Sequence, residues 1–177
     1  MGTTRVISVV GKKDAGKTTL VVALAAEFVR QRRAVATIKH GHHPALLDVE
    51  GTDTWRHFNE GMAQRAMIES PGQRVLFERT EQDGDPETLA RHYMKNMDIV
   101  LVEGFKQSGL PKIEVHRKSL HRTPLYDPAT SERSLWVAMV TDDEALRVPF
   151  PVLRFSDTSW LVALAGLAWD RAKLLEG

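Results

Sequence analysis

Gly11-Lys12-Lys13-Asp14-Ala15-Gly16-Lys17-Thr18 fits the phosphate-gripping pattern G-x-x-x-x-G-K-[ST], and its flanks decide the fold. Before it, Val6-Ile7-Ser8-Val9-Val10 is apolar almost without break, as suits a parallel strand buried on both faces. After it, Leu20, Val21, Leu24, Ala25 and Phe28 recur at helical spacing, and the basic Arg30 to Arg33 cluster stands where cations favour a helix C-terminus. Strand, glycine loop and helix are the context that the motif requires; a turn that merely joins strand to helix is the bland alternative. The glycines let successive N–H groups and the helix N-terminus converge on β- and γ-phosphates, Lys17 adds a mobile cation, and the Thr18 hydroxyl is offered to Mg²⁺. Gly11 through Thr19 are therefore the expected nucleotide-binding residues.

Working outward, Ala34 to Ile38 reads as a second strand, and Asp53 to about Glu60 as a short helix that Asp53 would cap and Gly61 would end. Arg65 to Glu69 and Arg74 to Glu78 flank Ser70-Pro71-Gly72-Gln73, a type II turn signal, so an antiparallel hairpin on the edge of the sheet is expected. A helix from Glu87 to about Lys95 follows, then the apolar strand 98–102, a short strand 111–115, an irregular stretch 117–133, and strands at 135–140 and 151–155. A closing helix is expected to be capped by Ser156 or Asp157, with an apolar stripe of Leu161, Leu164, Ala165 and Ala168. Alternating apolar strands and helices predict an α/β fold of the P-loop NTPase type, doubly wound and mostly parallel, with residues 1–177 as one domain.

Formal net charge is +1 and the apolar fraction 42%, so the overall field gives no reason for nucleic-acid or anionic-membrane binding, and any cationic function is local. The chain has no cysteine, which excludes disulfides, thiolate nucleophiles and Cys-ligated metals and fits a cytoplasmic protein. No secretory leader is evident, and no apolar stretch is long enough to span a bilayer.

In an open parallel sheet, ligands bind beyond the carboxyl ends of the strands, so one cleft should gather residues 11–18, 39–43, 103–106 and 141–142. Glu103 closes its strand where nucleotide hydrolases hold a carboxylate near Mg²⁺, and Asp98, at the strand's other end, belongs to the far rim. Asp53 is either a second carboxylate near the ion or a plain helix cap. The group His40, His42, His43 has three readings: a solvated loop, a transition-metal site, or an anion-binding lip. Lys39 within it and the lack of a carboxylate partner favour the lip, which with Lys106 would hold a second, phosphate-bearing ligand. Thr141-Asp142-Asp143 follows a late strand, so Asp142 is either a guanine acceptor or part of an ordinary turn.

Gly11 to Thr19, Ile38-Lys39-His40-Gly41-His42-His43, Gly51-Thr52-Asp53-Thr54 with His57, Val102-Glu103-Gly104-Phe105-Lys106 and Pro111 to Val115 together resemble the molybdopterin-guanine dinucleotide biosynthesis protein B family. The resemblance runs from residue 5 to about 117 and continues weakly to Asp142. It implies a GTP- and Mg²⁺-binding accessory protein of molybdenum cofactor maturation, a P-loop homodimer with at most slow GTPase activity. Its partner would be the guanylyltransferase that attaches GMP to molybdopterin. Carried over by position, Gly11 to Thr19 hold the GTP phosphates, Thr18, Asp53 and Glu103 surround the metal, and Lys39, His40, His42 and Lys106 contact the nucleotide or the pterin phosphate. Ala15 and the Gly51 to Thr54 segment depart from the commoner family forms. The competing reading is a small-molecule kinase passing a γ-phosphoryl group to an anionic substrate, with Arg117, Arg122 or Arg133 on a lid.

Overall fold

Short apolar runs bounded by glycine, proline or polar residues become strands, and the amphipathic stretches between them become helices. In the computed structural model, which describes residues 2–41 and 48–176, the elements are β1 (Thr4–Val10), α1 (Lys17–Arg30), β2 (Val35–Lys39), α2 (Asp53–Asn59), β3 (Arg65–Ser70), β4 (Gln73–Glu78), α3 (Pro86–Tyr93), β5 (Ile99–Glu103), β6 (Lys112–His116), a 3-10 turn (Arg133–Leu135), β7 (Trp136–Thr141), β8 (Val152–Arg154), α4 (Trp160–Arg171) and β9 (Lys173–Leu175). The chain packs as two compact units, Met1–His40 with Asp85–Gly177, and Gly41–Gly84.

The first unit is built on a sheet of order β2-β5-β1-β6-β7-β8, in which every neighbouring pair is parallel. On one face Ile7 and Val9 pack with Leu24 and Phe28 of α1 and Leu164 and Ala168 of α4, and on the other Val6, Val100 and Val102 pack with Ala90 of α3. Burial on both faces explains why β1 and β5 read as unbroken apolar runs, each large side chain contributing about 1.5–3 kcal/mol. The guanidinium groups of Arg5 and Arg33 lie 3.9 and 4.1 Å from the Trp169 ring centroid and fasten α4 to β1 and to the loop before β2. Asp98 sits on the far rim as expected, its carboxylate accepting the Ala34 N–H at 2.8 Å.

Lys173-Leu174-Leu175 adds an unanticipated strand, too short to show a pattern, that pairs antiparallel with the first half of β1 while β6 takes the second half. The closing helix begins later than its sequence suggests. Ser159, without a side-chain cap bond, precedes it, while Asp157 accepts the Arg154 N–H in the turn before. Among the described residues no helix is long and apolar enough to cross a membrane.

The second unit comprises α2 and the β3-β4 hairpin, which is a two-stranded sheet of its own rather than an edge of the parallel sheet. Gly72, at φ +83°, occupies the left-handed position that the turn demands. An isolated hairpin is marginal in water. This one is supported by Phe58 of α2 against Phe77 at 6.0 Å, and by Arg79, whose guanidinium lies 4.2 Å over Phe58 and hydrogen-bonds the Phe58 and Ala63 carbonyls. The cap of α2 is Thr52, whose hydroxyl accepts the Trp55 N–H at 3.3 Å; Asp53 is in the first turn, where its charge suits the helix dipole.

Candidate functional site

Because the six strands from β2 to β8 are parallel, the loops after β1, β5, β2 and β7 emerge on one rim, as the sequence predicts. The P-loop is held down from its first residue. A Cβ on Gly11 would come within 2.5 Å of the Val115 carbonyl oxygen, so only glycine allows the loop to lie against the end of β6. Gly16, at φ +99°, turns the chain into α1 in a conformation costly for any other residue. No side chain caps that helix and its first turn carries no acid, so its leading N–H groups keep their capacity for an anion. The Lys17 ammonium donates to the Lys12 carbonyl at 2.8 Å, folded back over its own loop.

Glu103, the last residue of β5, is 8% exposed, and its carboxylate accepts the Thr18 hydroxyl at 2.8 Å while the Lys39 ammonium stands 3.4 Å away. Gly104 at φ +94° and Phe105 at φ +50° turn the chain sharply afterwards, and the Ser8 hydroxyl pins the Gly104 carbonyl at 2.6 Å. The His40 ring lies against Phe105 at 4.6 Å, and Lys106 is exposed. Thr18, Glu103, Lys39 and His40 are thus brought together. His42 and His43 lie outside the described residues, and Asp53 belongs to the second unit. Among the described residues no group of three His, Cys, Asp or Glu side chains gathers as a metal cluster. A hydroxyl and a carboxylate in direct contact beneath a phosphate loop instead match Mg²⁺, which takes one or two protein oxygens and fills its octahedron with water and phosphate.

The sequence reading missed the other half of the rim. In β6 the residues facing one side are Lys112, Glu114 and His116, all buried, while Ile113 and Val115 join the core on the other. The connection 117–135 closes over the polar face. Lys112 donates to the Ser108 and Leu110 carbonyls, and burial pushes its ammonium below the usual lysine range. The Glu114 carboxylate accepts the N–H groups of Leu125 and of Tyr126, the latter at 3.0 Å. Burial raises its pKa, opposed by these two bonds and by the charge of Lys12. His116, 2% exposed, has its Nε2 without a partner, and burial lowers its pKa against the pull of Asp142 and Asp143. The signal was present as strict alternation of charged and apolar residues inside a central strand, which demands a polar cover.

That cover is tied to the P-loop. The His121 Nε2 meets the Lys13 carbonyl at 2.7 Å, and the Lys12 ammonium donates to the Thr123 hydroxyl at 3.1 Å. Asp142 accepts the Lys118 backbone N–H at 2.7 Å and stands 3.9 Å from Arg117, whose guanidinium lies 3.7 Å over Phe155. Arg133 bonds the carbonyls of Pro149 and Trp136. Two of the three arginines considered for a lid are therefore fastened into the frame, Arg117 half-buried and Arg133 exposed, and Arg122 is exposed as well.

A family model described as molybdopterin guanine dinucleotide synthesis protein B matches residues 6–142. The chain is 35% identical over 133 residues to the molybdopterin-guanine dinucleotide biosynthesis adapter protein of Haemophilus influenzae, covering 75% of this chain and 72% of that one. To the adapter protein of Escherichia coli it is 30% identical over 149 residues, 82% of each chain. The crystal structure of Bacillus subtilis MobB superposes with a TM-score of 0.68 over 96% of this chain and 98% of its own, at 19% identity, and so shares the fold. On the strength of the family match and these relatives, the chain belongs to the molybdopterin guanine dinucleotide synthesis protein B family.

Proposed function

We propose that this accessory protein of molybdenum cofactor biosynthesis binds GTP with Mg²⁺ at residues 11–19 and works beside the guanylyltransferase that completes the cofactor. The observation that carries the reading is the 2.8 Å contact between the Thr18 hydroxyl and the Glu103 carboxylate at the foot of an uncapped helix. Bound Mg²⁺ would supply charge neutralisation at the β- and γ-phosphates. The chain's own part is to present loop N–H groups to the phosphates, to swing the Lys17 ammonium from the Lys12 carbonyl onto them, and to hold metal-bound water through Glu103. Lys39, His40 and Lys106 form the cationic lip for a second anionic ligand, molybdopterin being the one that the family suggests; His42 and His43 complete it in sequence.

Guanine selectivity comes from the family resemblance. Asp142 would read the base with the carboxylate oxygen that now faces Arg117 at 3.9 Å, the other being engaged by the Lys118 N–H. Arg117 and Arg133 are committed to the frame, which favours a slow or silent GTPase over a kinase with an arginine lid. A homodimer through the edges of the β3-β4 hairpin suits a sheet that has two strands among the described residues, and a chain free of cysteine suits the cytoplasm.

Titration calorimetry tests the site. Wild-type protein should bind Mg·GTP at micromolar levels, and Lys17→Ala should weaken it about a thousandfold, ~4 kcal/mol. Unchanged affinity in the variant would remove the P-loop from the account, and fast acceptor-dependent phosphate transfer would replace the adapter reading with the kinase.

A further inference from the structure

Lys12 of the P-loop also lines an open cavity of about 720 Å³ between the covering connection and the loop before β8. Its walls are Pro124, Pro128, Pro149, Leu146, Val148 and the largely buried Tyr126. Its polar groups are the Lys12 ammonium at the P-loop end, with Arg147 and Asp127 elsewhere on the lining. The volume falls in the range of sites that take small organic ligands. Proline rings, branched aliphatics and an aromatic ring favour a flat apolar face, and two cations against one carboxylate favour an anion.

The backbone there is already committed. Glu114 takes the Leu125 and Tyr126 N–H groups, so the wall is stiff; of the lining side chains Arg147 gives one nitrogen to the Glu144 and Leu146 carbonyls and Asp127 accepts the Ala129 N–H, which leaves a ligand the remaining Arg147 donors and Lys12. The Lys12 ammonium donates to the Thr123 hydroxyl, and its charge also acts on Glu114; an anionic group would displace the neutral hydroxyl in favour of a charge-assisted bond. We propose that this cavity is a second ligand site, taking a planar heteroaromatic acid whose ring lies between the prolines and Val148 and whose anionic group meets Lys12. The assignment rests on the reading that the protein carries a pterin-type ligand besides its nucleotide, and it moves the ring of that ligand away from the Lys39 and His40 lip. It also gives the two sites a shared residue, since the Lys12 carbonyl holds Lys17.

The test uses the full chain and 6-carboxypterin, a fluorescent planar acid, as probe, with Mg·GTP titrated separately by calorimetry. Wild-type protein should raise the probe's anisotropy, and unsubstituted pterin, lacking the acid, should bind about tenfold more weakly. Val148→Trp, which fills the cavity, and Arg147→Glu, which reverses an exposed charge at its lining, should each weaken the probe about tenfold or more while leaving Mg·GTP affinity within about twofold. Arg147 is exposed, so that variant folds even if the tryptophan is not accommodated. No probe binding up to about 1 mM, or binding indifferent to both substitutions, overturns the inference whatever the GTP titration gives. Loss of GTP binding alone would instead overturn the nucleotide reading and leave this site standing.

Discussion

The two halves of the rim are built on opposite principles. On the β5 side the chemistry lies at the ends of largely apolar strands: the P-loop follows β1, Glu103 ends β5, and the buried Ser8 of β1 serves only to pin the Gly104 carbonyl. On the β6 side the charged groups are inside the strand, and Lys112, Glu114 and His116 are buried beneath a connection of irregular backbone. In the first half the strand merely delivers a loop. In the second the strand is the foundation of the loop, because a segment without helix or strand needs its N–H groups satisfied from elsewhere.

If that contrast is right, substitutions in the two halves should fail differently. The largest effect on folding is expected at Glu114. Replacing it with Ala orphans the N–H groups of Leu125 and Tyr126 and should cost about 3 kcal/mol in urea unfolding. A loss under about 1 kcal/mol would mean the connection supports itself. Gly16→Ala sits in the other half, where it forces a Cβ into φ +99° without meeting any close atom. It should cost about 1–2 kcal/mol of stability and much more in nucleotide affinity.

Next comes a pH effect. The folded-state pKa of His116 is lowered, so it adds stability above about pH 6.5 that is lost as pH falls through its folded value. Wild-type stability should therefore fall on acidification below about pH 6.5, by up to ~1.4 kcal/mol per unit from this one group, and His116→Asn should flatten that part of the profile. Glu114 works with the opposite sign, its raised pKa favouring the protonated fold, and partly offsets the loss near the carboxylate range. The smallest change is expected from Asp142→Asn, which keeps one acceptor for the Lys118 N–H. About 0.5 kcal/mol of stability should go, and a weaker preference for GTP over ATP would tie the carboxylate oxygen now facing Arg117 to the base.

The same contrast sets what could be read in the chain beforehand. Phosphate loops, apolar parallel strands and the Pro71-Gly72 turn are local signals, each fixed by a few neighbouring residues, and all stand where the sequence puts them. Glu103 was legible because a carboxylate closing a buried strand has few other reasons to be there. Lys112, Glu114 and His116 were not, since the partners of Lys112 and Glu114 are backbone groups at residues 108, 110, 125 and 126, in segments with no period of their own, and the His116 Nε2 has none. The separate standing of the hairpin was equally hidden: a Pro-Gly turn specifies that two strands meet, not what lies beyond their edges. Thr52 rather than Asp53 as helix cap is the familiar one-residue slip between adjacent capping types.

One further consequence concerns the order of events in folding. β1 finds its neighbours late in the chain: Val6 pairs with Val100 and with Lys173, which are 94 and 167 positions downstream. Loop closures of that span are slow, so the nascent chain carries an unpaired, largely apolar strand until those partners are made. Refolding from denaturant should accordingly be slow and concentration-sensitive, and the amides of the hairpin, whose partners are near neighbours, should gain protection before those of Val6 and Ile7.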